Sequence, residues 1–165
     1  MNDNLSNKLK TNLKKMKDVF DKTVSEEIIG RINLLNPNSK PKWGKMTVGQ
    51  MLAHCSVAYE MVYTDKYPKP NFFKKIILKT FVKKVVVGYK PYPKNGRTAP
   101  QFLITNEREF QKEKSILIDY IMKTQILGEN HFRNKESHSF GKLTKTEWNN
   151  LFYKHLDHHL TQFRV

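Results

Sequence analysis

The chain has 165 residues, 38% of them hydrophobic and 12% aromatic, with a formal net charge of +15 and a single cysteine. So much apolar mass excludes a disordered chain and suffices for one domain, 1–165, burying about 70% of its unfolded surface, while the lone Cys55 excludes an internal disulfide and fits a reducing cytoplasm. The longest strongly apolar runs, such as Val85 to Val87, are too short to span a bilayer, and the charge admits nucleic acid, an anionic membrane or an acidic ligand as partner.

Residues 1–16 are polar and lysine-rich, and are expected to be frayed; no apolar stretch follows to make a secretory signal. The first helix is expected over Val24 to Leu35, with Ser25 as N-cap and acids in its first turn. Pro37, Pro41 and Gly44 break the pattern. A second helix follows Thr47, which forms a capping box with Gln50, and Pro68 and Pro70 end it. "NFFKKIILKTFVKK" reads as a short third helix, and "GYKPYPKNGRTAPQ" as a long irregular connection. Helix resumes from Asn106 to Leu127, capped by Thr105 or Asn106 and stopped at Gly128. A loop holding His131 and His138 leads to the last helix, which opens on a second capping box, Thr144 with Glu147. Nothing alternates with a period of two. The fold class is all-α: a four-helix up-and-down bundle with a short extra helix and a long loop insertion.

"FYKHLDHHLTQF" carries three histidines in five residues, His155, His158 and His159. At about 100° per residue, His159 lies roughly 40° from His155, amid an arc that also holds Leu151, Trp148 and Phe152. His158 falls at the rim, and Asp157 points away. Two imidazoles in the middle of an apolar stripe are unfavourable unless their nitrogens find partners. A hydrogen-bonded pair of core histidines is one solution. A metal is the other, since i, i+4 spacing aims both rings at one point. On the second helix His54 sits beside Met51, Val57 and Met61 at the side of the apolar arc, so it also faces inward. Three neutral imidazoles from two helices suit zinc, nickel or ferrous iron, with positions left open for water or substrate.

The segments "WGKMTVGQMLAHC" and "SFGKLTKTEWNNLFYKHLDHHLTQF" resemble the DinB-like superfamily of metalloenzymes, in particular its uncharacterised branch, over most of residues 24–163. The resemblance implies a metal held by His54 and by the H-x-x-x-H pair His155 and His159. Gln162 matches a glutamine that follows that pair, whereas Leu160 and Thr161 replace the usual Arg-Gly. By the same resemblance the protein is a divalent-metal-dependent transferase using a low-molecular-weight thiol, or a hydrolase, acting on a small molecule. Bundles of this kind also form homodimers.

Gln162 is expected to orient a ligand or line the pocket, with His158 as a further neighbour. Glu60, Glu113 and Glu147 are candidates for a base. Lys90, Lys94, Asn95 and Arg97 of the long loop could hold an anionic group of the substrate; a solvated connection is the plainer alternative. Cys55 falls inside the apolar arc and reads as a core residue. His138 reads as a loop-ordering or surface residue, and Trp43 and Trp148 as packing at helix ends. The rival reading is a non-catalytic basic module for anionic lipid or nucleic acid, docking through "KPNFFKKIILKTFVKK", with a structural or empty histidine site. Against it, the phenylalanines and isoleucines of that segment cover a wide arc, as in an element packed onto the bundle.

Overall fold

The computed structural model describes residues 16–165; the expectation of a frayed lead-in falls, apart from Met16, outside them. The chain is mostly helical. Helix α1 spans Lys22–Asn33 and starts earlier than expected. Asp21, not Ser25, is its N-cap, accepting from the amides of Thr23 and Val24. Aspartate just ahead of three helix-compatible residues captures the free amides first, and Ser25 is left buried, its hydroxyl donating to Lys22 O at 2.9 Å.

Helix α2, Val48–Tyr63, opens on the expected capping box, in which Thr47 Oγ1 accepts from Gln50 N at 3.2 Å and Gln50 Oε1 accepts from Thr47 N at 3.0 Å. The Gln50 amide also donates to the carbonyls of Thr105 and Asn106. Those two residues are thereby held outside any helix, which corrects the expected start at Asn106. The next long helix begins at Phe110, with Glu109 as N-cap accepting from the amides of Gln111 and Lys112. Gly49 is required where these segments meet, because a Cβ there would lie 2.6 Å from Arg108 O.

Between them, α3 (Phe72–Ile77), a π turn (Leu78–Val82) and α4 (Lys83–Val87) run on as one rod. The expectation that its phenylalanines and isoleucines pack inward is overturned: no residue of α3 or of the π turn is buried, and Phe72, Phe73 and Phe81 are among the most exposed apolar side chains. The rod is fixed at its C-terminal end, where Val87 is buried and its carbonyl accepts from Asn150 Nδ2 at 2.8 Å. Lys154 Nζ, also buried, donates to the carbonyls of Val85, Gly88 and Lys90. The long connection then follows, with one 3₁₀ turn at Pro100–Phe102.

Helix α5, Phe110–Phe132, is broken but not ended at Gly128, whose φ of 68° and ψ of 173° are non-helical. One more turn forms because it carries Phe132 into the core, fully buried against Phe20, Trp148 and Phe152. A two-residue hairpin, β1 (Glu136–Ser137) against β2 (Gly141–Lys142), was not expected, being too short to show alternation. Helix α6, Lys145–Gln162, opens on the second expected capping box.

Helix α2 lies along α5, and α6 packs on α1, α2, α4 and α5. Their shared core centres on stacked Tyr59, Phe152 and Trp148, with Ile28, Met51, Leu117 and Leu156 around them. Arg31 Nη1 donates to Asp157 at 2.8 Å and ties α1 to the polar side of α6. The opposite side of α6, with Trp148, Phe152 and His159 buried, faces α2 and the loop between α4 and α5.

Candidate metal centre

His54 from the first half of α2 meets His155 and His159 from the last two turns of α6. One ring nitrogen from each lies within 4.8 Å of the others. The ring centroids are 4.5 to 4.9 Å apart. His54 and His159 are buried, and His155 is half-buried against a cavity.

What fixes each ring decides what it can do. His54 Nδ1–H donates to Phe102 O at 2.8 Å, so its Nε2 carries a lone pair toward the centre. His159 Nδ1–H donates to Gln162 Oε1 at 2.7 Å, and Gln162 Nε2 donates to Trp43 O at 2.6 Å. The Nε2 of His159 is therefore also a lone-pair donor. His155 Nε2 stands 2.9 Å from His54 Nε2; without a cation it must carry the hydrogen and donate to that lone pair, and a cation would take the place of that proton. Anchored Nδ1–H groups with converging Nε2 atoms are the arrangement found around metal-binding histidines.

Burial keeps the set neutral. Desolvation, aided by the neighbouring His54, pushes His159 down to about 3, and it holds His155 well below the ordinary histidine value. His54 is lowered by burial as well, against the opposing effect of its bond to Phe102 O. Neutral imidazole is the ligating form, so protons compete weakly for these nitrogens near neutral pH. An uncharged donor set of three nitrogens with one side open to a cavity fits a divalent ion of the zinc, nickel or iron kind.

The cavity beside the histidines has a volume of about 720 Å³. Its walls come from the rod α3–α4, the long connection, the hairpin turn, α2 and α6, and they are mainly apolar. Lys45, Lys74 and Arg97 are in the lining, and among the described residues no aspartate or glutamate is. The three carboxylates suggested as bases are therefore elsewhere. Glu60 binds Lys66 and the Tyr67 hydroxyl, Glu113 binds Arg108, and Glu147 binds Lys83 while capping α6.

Of the loop residues, Asn95 and Arg97 stand in the cavity wall. Lys94 does not; its ammonium lies 4.8 Å over the Trp43 ring. Lys90 is not in the wall, and its carbonyl accepts from Lys154. His158 sits at the cavity rim, its ring edge-on to both Trp43 and Tyr92 at 5.7 Å, and burial lowers its pKa, with Asp157 opposing. Gln162 is buried in the cavity lining, where its Oε1 holds His159. His138 lines the cavity and binds Tyr67 O and Ser139, consistent with loop ordering. Cys55 is buried beside Met51, and desolvation pushes its thiol up, which makes it an inert core residue.

Three participants had no sequence signature. Phe102 and Trp43 act through backbone carbonyls, which any residue type could present, so only the path of the loops reveals them. Trp43 accordingly belongs to the site, against the C-terminal end of α6. Tyr92 is the third: its ring stands edge-on to His155 and His158, with its hydroxyl on Val86 O.

Residues 15–165 match the family described as "Protein of unknown function (DUF1569)". No curated protein and no solved structure matches the chain. The chain belongs to that family, and the matched residues include His54, His155 and His159.

Proposed function

We propose that this protein is a divalent-metal-dependent enzyme of the DinB-like kind, built on an up-and-down four-helix bundle, in which His54, His155 and His159 are the ligands. The observation that supports it is the convergence of three neutral ring nitrogens at the wall of a cavity, two of them aimed by hydrogen bonds on their far side. The reaction is a transfer of a low-molecular-weight thiol to a small molecule, with hydrolysis of a small molecule as the second possibility. A bound divalent ion would supply Lewis acidity, lowering the pKa of a coordinated thiol or water.

The chain's own groups divide the remaining work. With no carboxylate of the described residues in the lining, the rim imidazole of His158 is the group placed to take a proton, and its lowered pKa keeps it in the accepting form at neutral pH. Arg97, Asn95 and Lys45 would hold an anionic group, and the apolar walls would take the body of the substrate and exclude water. The rival reading, a basic module without catalysis, accounts for the lysines but gives no reason for three rings to converge.

The test is a screen of the metal-loaded chain with thiols and small electrophiles, run beside metal-stripped protein and the His155→Ala, His159→Ala double variant. Conversion restored by metal and absent from the variant is the expected result. Equal conversion by stripped and loaded protein would refute the reading.

A further inference from the structure

We infer that the exposed side of the rod α3–α4 is a docking surface for an anionic lipid bilayer. The rod turns its residues to two destinations. Leu78, Val82 and Val86 line the cavity, while Phe72, Phe73 and Phe81 are 72%, 76% and 72% exposed and Ile76 and Ile77 stand out beside them. Three solvent-facing phenylalanines on one short element are an apolar patch that calls for a partner.

The charge around the patch names the partner. Between Asp65 and Glu107 there are ten lysines and arginines and no acidic residue. Lys75 and Lys83 are paired with Glu136 and Glu147, but Lys69, Lys79 and Lys84 are exposed and have no carboxylate partner among the described residues. Aromatic and aliphatic side chains flanked by lysines are what an interfacial helix presents to lipid: the rings enter the acyl boundary and the ammonium groups meet the phosphates. A second copy of the chain would bring the same uncompensated charge against itself. A nucleic acid would neutralise the lysines but leave the phenylalanines in water. No helix among the described residues is long and apolar enough to cross a membrane, so contact is at the surface.

The geometry connects this surface to the cavity. The element that would lie on the bilayer is also a cavity wall, and it is anchored to α6 mainly through Val87, Asn150 and Lys154 at one end. The docking itself does not depend on the metal.

The experiment is flotation of the full chain with phosphatidylcholine vesicles, with and without phosphatidylglycerol, at low and high salt, beside a Phe72→Ser, Phe73→Ser, Phe81→Ser variant. All three side chains are solvent-facing, so helical content and metal content should be unchanged in the variant, and these are measured on the same samples. The expected result is flotation with the anionic vesicles only, weakened by salt and reduced at least tenfold in the variant. Wild type that does not float, or a variant that floats as well as wild type, overturns the inference. Retention of duplex DNA that is equal in wild type and variant, with no flotation, would assign the lysines to a polyanion instead. A concentration-dependent dimer lost in the variant, again with no flotation, would assign the face to a second copy.

Discussion

Replacing Gln162 by leucine should weaken metal binding without unfolding the protein. The glutamine is 3% exposed and holds the Nδ1–H of His159 at 2.7 Å, while its own amide is held by Trp43 O at 2.6 Å. Leucine keeps the volume but leaves the imidazole N–H and the Trp43 carbonyl without partners. Losing such an outer partner typically lowers metal affinity by about 10- to 100-fold, which is about 1.4 to 2.8 kcal/mol. The ring of His159 is also freed to take its other tautomer, in which Nε2 carries hydrogen and cannot ligate. Competition for zinc against a chromophoric chelator reads the change, with the His159→Ala variant marking full loss of that ligand. Zinc affinity in Gln162→Leu equal to wild type, while His159→Ala loses it, would refute the claim that Gln162 aims the ring.

Three further outcomes follow from the same structure. The metal-free protein should lose stability as pH falls below about 6.5: His159 stays neutral in the fold down to about 3, so between those values the unfolded chain binds a proton that the folded chain refuses, and each histidine so held contributes a slope of up to about 1.4 kcal/mol per pH unit; urea midpoints that do not move from pH 7 to pH 4 would contradict it. Lys154→Met should cost about 1–3 kcal/mol by removing the charged donor shared by three part-buried carbonyls, with hydrogen exchange accelerated in α4 and the loop after it, and unchanged protection there would be the contrary result. Gly49→Ala should destabilise by about 1–3 kcal/mol, since its Cβ would lie 2.6 Å from Arg108 O; a thermal midpoint at or above wild type would show that the backbone yields.

What could be read before the structure was what is local. Both capping boxes are contained within four residues each, and the positions of His155 and His159 follow from helical angle alone, as does the inward side of His54. The partners that aim the rings are another matter. Phe102 and Trp43 contribute carbonyls that loop paths bring in from 48 and 119 residues away. Gly128 was legible as a break but not as an interruption, because the pull of Phe132 into the core is a tertiary effect. The same holds for Asn106, whose carbonyl is taken by Gln50. The rod α3–α4 is the clearest case: a wide apolar arc looks the same in sequence whether it packs on a protein or faces out, and only the structure shows that its phenylalanines are exposed.

The central claim is that three ring nitrogens hold a metal ion, and its most direct test is elemental mass spectrometry of untagged protein purified without a metal column, beside the His155→Ala, His159→Ala double variant. About one zinc, nickel or iron per chain in wild type, lost in the variant while the far-ultraviolet helical signal persists, is the predicted result. Wild type that is metal-free and takes up none of the three on incubation would contradict it, leaving His54 and His155 as a hydrogen-bonded pair in the core.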